Sequence, residues 1–324
     1  MTKVLIIRFS SIGDIVLCTP VIRCIKQQLG AEIHFLTKSR FKEVLEHNPY
    51  IDQIISFEDL DHSMESLKSN AYDHVVDLHN NLRSSKVCKT LGVQAMKLDK
   101  INIAKWMMVN IGLDRLPNKH IVDRKFDAVQ SLGVEYDGEG LDYFFETDAA
   151  LLKGFEKRKK RIGIVLGAAH FTKRIPLEFV KQITEVFDAE FFLLGGPAEK
   201  DLGEQLVVEN KVYNWCGKTS LQGSAQLMDA CDLIISSDTG LMHIAAALDK
   251  RIITIWGSTV PAFGMYPFIK NAGNKHISLQ VEGLHCRPCS KIGYNQCPKG
   301  HFACMRNHKI EKLLENMNLQ LSGD

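Results

Sequence analysis

The sequence predicts an α/β chain made of two Rossmann-like halves in tandem, and three observations carry that prediction. In the first half KVLIIRF, the amphipathic stretch from Pro20 to Leu29, EIHFLTK, the stretch from Arg40 to Glu46, DQIISF and YDHVVDL follow one another in βαβα order. Such alternation calls for a parallel sheet with helices on both faces. A second series opens at RIGIVLG and runs through a helix at Leu177 to Phe187, the strand EFFLLGG, a helix after Pro197, the strand VYNWCG, a helix at Leu221 to Ala230, DLIISSD, a helix over His243 to Leu248, and RIITIWG. Between the two, from Asp137 to Lys160, the pattern breaks into turn residues, one short aromatic strand and a basic run that reads as a solvated helix end. These observations set a first domain at residues 1–150 and a second at 151–324, with a cleft between them. The final segment HKIEKLLENMNLQL has helical apolar spacing and is expected to pack back across a domain.

Composition bounds what such a chain does. Its 324 residues are 45% apolar and 24% charged, which suits two globular domains rather than a disordered chain. Forty Lys and Arg against 38 Asp and Glu leave a net charge of +2, so charge gives no reason to expect a nucleic acid partner. Val4 to Ile7 is too short for a secretory core, and no run approaches the ~20 apolar residues of a membrane span. A cytoplasmic protein is expected, with a substrate at a membrane surface still compatible. Cys18, Cys24, Cys88, Cys216 and Cys231 are scattered and read as small packing hydrophobes of a reducing compartment.

The residues with chemical potential cluster where strands hand over to helices. The first strand runs into Arg8-Phe9-Ser10-Ser11-Ile12-Gly13-Asp14, placing a carboxylate at the carboxyl edge of a parallel sheet, where open α/β folds bind ligands. Asp14 is thus either a reacting group or the cap of the following helix, and the lack of G-x-G-x-x-G argues against an ordinary dinucleotide turn. In the second half, Ser236-Ser237-Asp238-Thr239-Gly240 leads into a helix that carries His243. Amides at such a helix start, together with the macrodipole, favour a phosphate, while His243 reads as a ligand or as a core histidine. Thr172, Lys173 and Arg174 follow another strand, and cations there suit a pyrophosphate leaving group or a merely exposed loop. Glu199, after Gly195-Gly196-Pro197, reads as a partner of ribose hydroxyls or as an acid favoured at a helix start.

Cys286-x-x-Cys289, Cys297 and Cys304 lie close together in a loop-rich segment, residues 285–308, with His285, His301 and His308. Four thiolates can hold a structural zinc, although only the first pair has the usual spacing. Disulfides or unlinked thiols fit the same pattern.

Together RFSSIGDIVLCTP, HFTKR at His170 to Arg174, LLGGPAE and SSDTGLMHIAAAL resemble the lipopolysaccharide heptosyltransferases of glycosyltransferase family 9, over nearly the whole chain. The resemblance implies a GT-B fold, two Rossmann-like domains with parallel sheets facing a central cleft, the acceptor on the N-terminal domain and the nucleotide sugar on the C-terminal one. It implies an inverting transfer of heptose from ADP-heptose to a lipopolysaccharide inner-core acceptor of the Kdo–lipid A type, at the inner face of the inner membrane. Asp14 would then be the general base and Lys173 the cation that neutralises the departing diphosphate. Thr172, Glu199, Asp238, Thr239, Gly240 and His243 would bind the donor, and Ser11, Gly13, Asn81 and Arg83 the acceptor. No cofactor is implied for catalysis. The segment DLHNNLRSSKV departs from the Asp-Leu-Gln-Gly-Leu of related enzymes, so another nucleotide sugar or another glycan acceptor is the competing reading. A non-catalytic nucleotide-sugar-binding protein is a third.

Overall fold

The computed structural model describes residues 1–155, 159–270 and 272–322. Residues 156–158, within the basic run, lie outside the described residues. The chain divides into two units, Met1–Ile101 with Lys119–Phe144, and Asn102–Asn118 with Phe145–Asp324.

In the first unit β1 (Lys3–Ile7), β2 (Glu32–Lys38), β3 (Gln53–Phe57), β4 (His74–Asp77) and β5 (Ala95–Lys97) form one parallel sheet in the order β3-β2-β1-β4-β5. The run KVLII is buried from Val4 to Ile7 because helices cover both faces of the sheet, which removes the usual alternation of apolar and polar residues. After β1 the chain moves outward to β2 and β3, then returns to the other side of β1 as β4. Ile7 pairs with Asp77, so the loops after β1 and β4 leave the sheet side by side at this reversal of strand order.

The second unit repeats the plan with β6 (Arg161–Val165), β7 (Glu190–Leu194), β8 (Val212–Asn214), β9 (Leu233–Ser236), β10 (Arg251–Trp256) and β11 (His276–Gln280), ordered β11-β10-β9-β6-β7-β8. The reversal falls between β6 and β9, which are paired at Ile164 and Ile235. Ile162, Ile164, Phe191, Leu193, Leu233, Ile235, Ile253 and Ile255 form a buried core with Phe179, Val180 and Ile183 from the helix Leu177–Val186. The C-terminal helix Ile310–Ser322 adds Leu313 and Met317 to that core, so the expected packing across a domain is found. Each such side chain contributes about 1.5–3 kcal/mol on burial.

Two expectations need correction. Residues 142–146 form no strand, because side chains rather than a ladder hold this connection. The buried Arg23 guanidinium grips the Asp137 carboxylate at 2.7 and 2.9 Å and also pairs with Asp142. The stretch from Arg40 to Glu46 is a 3-10 turn over Ser39–Val44 rather than an α-helix.

Candidate active site

In the first unit Ser11 caps the short helix Ile12–Val16, and Asp14 occupies its first turn. Ser11 donates to Asp14 Oδ2 from its amide at 3.3 Å and from its hydroxyl at 2.9 Å. Capping is therefore one of the things Asp14 does. Its other oxygen, Oδ1, lies 2.7 Å from Arg8 Nη2. Arg8 is itself fixed by donating from Nε to Ser10 O and from Nη1 to Leu78 O, both at 2.7 Å, so the guanidinium ties the loop after β1 to the loop after β4. Behind the turn, the fully buried Lys125 donates from Nζ to Asp14 O at 3.0 Å and lies 3.3 Å from Cys18 Sγ. Burial alone would raise the pKa of Asp14, but the charges of Arg8 and Lys125 and the hydrogen bonds from Ser11 outweigh it and hold the carboxyl well below the usual range. The side chain keeps 24% of its exposure, so an ionised carboxylate remains open to an incoming hydroxyl.

Around β4 the sequence DLHNNL builds a tight turn. Buried Asp77 accepts the amides of His79 at 3.0 Å and Asn80 at 2.7 Å, and the Ser84 hydroxyl at 2.7 Å. Asn81 caps the helix Leu82–Leu91, its Oδ1 accepting the Ser84 amide at 2.9 Å, while Arg83 stands exposed. Of the two, Arg83 is exposed and Asn81 half-buried. His79, which sequence reasoning passed over, packs its ring 4.8 Å from Phe9. Burial, then the charges of Arg8 and Lys100, push its pKa down to about 3, so it is neutral near pH 7.

In the second unit the loops after β6, β9 and β10 converge on one carboxylate. Lys173, at the end of the 3-10 turn Phe171–Lys173, places Nζ 2.6 Å from Asp238 Oδ2, and Thr259 donates its hydroxyl to the same oxygen at 2.8 Å. The Lys173 and Asp238 side chains are 14% and 13% exposed. Thr239 caps the helix Gly240–Ala247, its Oγ1 accepting the Met242 amide at 3.4 Å, and His243 is buried in that helix. The start of this helix therefore faces the pair with the positive end of its dipole. Glu199 bonds the Gly196 amide through Oε2 at 3.0 Å and lies 3.4 Å from Arg174 Nη2. Gly167 leaves room for this approach, since a Cβ there would sit a tight 3.0 Å from Glu199 Oε2.

Thr172 has a different place. Its buried hydroxyl takes the Tyr294 amide at 2.8 Å and the Ser258 hydroxyl at 2.9 Å, so it braces the loop from within. The cysteine-rich segment continues this bracing. Arg287 donates to Gly257 O at 2.5 Å and Thr259 O at 2.8 Å, and the Cys289 amide to Ser258 O at 3.0 Å. Thr259, Ser258, Arg287 and Arg8 were missed by sequence reasoning. Thr259 had a readable signal, since it follows β10 as Asp238 follows β9.

The zinc expectation falls on Cys286, Cys289, Cys297 and Cys304. Among the described residues no three His, Cys, Asp or Glu side chains are gathered to hold a metal ion. The Cys289 thiol instead donates to Cys286 O at 2.9 Å, and Cys304 joins the apolar core. Burial pushes both thiols up to about 11, which keeps them protonated at neutral pH. All nine cysteines are free thiols, and Cys18, Cys24, Cys88, Cys216 and Cys231 are buried as expected of packing hydrophobes.

Known proteins share this architecture. The family model described as glycosyltransferase family 9 (heptosyltransferase) matches residues 62–294. The chain is 26% identical over 312 residues to lipopolysaccharide heptosyltransferase 1 of Campylobacter coli, covering 86% of this chain and 89% of that protein. Among solved structures, the family 9 glycosyl transferase of Veillonella parvula DSM 2008 superposes with a TM-score of 0.79 at 19% identity, covering 100% of this chain and 98% of the other. The E. coli heptosyltransferase WaaC with ADP-2-deoxy-2-fluoro heptose gives a TM-score of 0.67 at 18% identity, covering 98% of this chain and 100% of the other.

Proposed function

This chain belongs to glycosyltransferase family 9 and is a GT-B glycosyltransferase, and from that premise we propose that it transfers heptose from ADP-heptose to a lipopolysaccharide inner-core acceptor of the Kdo–lipid A type, with inversion at the anomeric carbon. The donor in this reading is the kind of molecule that WaaC holds in the structure named above. The observation that carries it is the Lys173–Asp238 contact of 2.6 Å at the strand-order reversal of the second sheet. It supplies a cation and an adjoining helix start where negative charge grows on a departing diphosphate.

Asp14 takes the acceptor proton in this scheme. As the bond from the anomeric carbon to the diphosphate oxygen breaks, the acceptor oxygen bonds that carbon from the opposite face and its proton passes to Asp14. Lys173 stabilises the leaving diphosphate, so the reading assigns that task to a side chain rather than to a metal ion. Asp238 orients Lys173, Glu199 meets the donor ribose, and the amides at Thr239 and Gly240 hold phosphate oxygens, with His243 behind them. Thr172 supports the donor indirectly by holding the Lys173 turn. Ser11, Gly13 and Arg83 face the acceptor, and Asn81 shapes the turn that presents Arg83. Neither proton transfer nor charge neutralisation in this scheme calls for a cofactor, and the acceptor would be met at the inner face of the inner membrane.

The test is incubation with a panel of nucleotide sugars and truncated lipid A–core acceptors, read by mass spectrometry. A heptose increment from ADP-heptose supports the reading. An increment only from another nucleotide sugar, or on another glycan, replaces donor or acceptor while keeping the family. Binding of nucleotide sugar with no product from any pair overturns it.

A further inference from the structure

In the turn after β4 the polar side chains satisfy one another, with one exception. Asn80 donates from Nδ2 to Leu98 O at 2.8 Å, Asn81 Oδ1 takes the Ser84 amide, and the Ser84 hydroxyl goes to Asp77. His79 is 9% exposed, yet its Nδ1 is buried with no hydrogen-bond partner. Folded proteins pair nearly all such atoms, so an unpaired one calls for a reason, and a missing ligand is one of the few available.

The ring stands beside the loop that carries Asp14. Ile7 of β1 pairs with Asp77 of β4, and two residues further along each strand Phe9 meets His79, ring centroids 4.8 Å apart. Arg8 reaches both sides at once, with Nη2 2.7 Å from Asp14 Oδ1 and Nη1 donating to Leu78 O at 2.7 Å. One guanidinium therefore spans from Asp14 to the residue before His79. Burial, then the charges of Arg8 and Lys100, keep the imidazole neutral against the opposing pull of Asp14. A neutral imidazole has one N–H and one lone pair, and the partner of one nitrogen decides which of them the other offers. Because Nδ1 has no partner, nothing inside the fold makes that choice. Such a ring suits a group that both gives and takes a hydrogen bond, which is a hydroxyl rather than an anion. Packing against Phe9 would need no nitrogen at all. Resting on the transfer reading above, we propose that His79 is an acceptor-binding residue that hydrogen-bonds a hydroxyl of the acceptor sugar other than the one Asp14 deprotonates.

A site built to bond a hydroxyl discriminates against an analogue that lacks it, because its own polar atom is then left unpaired. His79 thus acts on the choice of acceptor. The donor-side residues Lys173, Glu199 and Asp238 belong to the second unit, so donor affinity should not feel a change at His79.

The test gives the full-length protein ADP-heptose and a truncated Kdo–lipid A acceptor, alongside copies of that acceptor each lacking one hydroxyl. H79F keeps the ring against Phe9 and removes both nitrogens, while H79Q keeps a side chain that donates and accepts. H79F should raise the acceptor KM about three- to ten-fold, with ADP affinity by calorimetry and unfolding temperature near those of the wild type. H79Q should recover most of that loss. One deoxy acceptor should cost the wild type a similar factor and cost H79F nothing more. H79L replaces H79F in every comparison if the phenylalanine variant does not fold. The assignment is overturned if these apolar variants keep the wild-type acceptor KM, if folded H79Q is as impaired as they are, or if every deoxy acceptor costs them as much as it costs the wild type. Absence of transfer by the wild type defeats the transfer reading and this assignment with it, whereas wild-type transfer with an unmoved KM in H79F defeats this assignment alone.

Discussion

Asp14 is held ionised by its neighbours, and that sets the kind of base it can be. A carboxylate with its pKa pushed down by Arg8, Lys125 and Ser11 is a weak proton acceptor at rest. In the proposed scheme it would take the proton only once bonding to the anomeric carbon has made the acceptor hydroxyl acidic. No acid limb from Asp14 is then expected near neutrality in the pH profile of kcat/KM. Substituting Arg8→Gln removes the cation at 2.7 Å and leaves burial less opposed, so the limb should move to higher pH. An unmoved limb in a pH-rate series would contradict this. Stability follows the same sign. The folded pKa lies below the reference value of 3.8, so ionised Asp14 stabilises the fold above 3.8 and that stabilisation is lost as pH falls through the folded pKa. Lys125 shifts stability with the same sign but in a higher pH window, and for a different reason. Burial first of all lowers its pKa from 10.5, so the native state gains stability relative to Lys125→Met as pH rises toward 10.5, measurable by urea midpoints on both proteins. Asp14, Lys173 and Asp238 were legible because each follows a strand in a recognisable motif. Lys125 was not, because its partner Asp14 is 111 residues away and an amphipathic helix gives no sign that one lysine points inward.

At the scale of elements, the second unit depends on three loops held in register. Gly257 lets the loop after β10 close on the Lys173 turn, since a Cβ there would lie 2.5 Å from Thr172 O and 2.7 Å from Met305 Cε. Gly257→Ala should therefore cost about 1–3 kcal/mol in thermal or urea unfolding. It should also weaken ADP binding in calorimetry by disturbing the Thr259–Asp238 contact. The C-terminal helix is held by Leu313 and Met317, both 0% exposed, so Leu313→Ala should cost about 2–5 kcal/mol. The strands and this helix were readable because their period is clear. The helix Asn102–Ile111 was not, because INIAKWMMVNI is apolar on more than one side and offers no single stripe. Tyr143 and Phe144 looked like a strand because aromatic residues favour sheets, yet Arg23 rather than a neighbouring ladder fixes that segment.

At the scale of the molecule, two sheets with the same reversal of strand order each present a cluster of polar loops at their carboxyl edges. The first holds an ionised carboxylate and the second a cation beside a helix start, and the proposed scheme divides the transfer between them into proton removal and departure of the diphosphate. That division makes the roles separable. Lys173→Ala should weaken ADP binding and lower kcat by about 10²–10³-fold, the range seen when one group stabilising transition-state charge is removed. The most direct measurement pairs calorimetry of ADP-heptose with the transfer rate for Asp14→Asn. The account predicts donor affinity near that of the wild type with transfer reduced about 10²–10⁴-fold. Transfer by Asp14→Asn at the wild-type rate would contradict it.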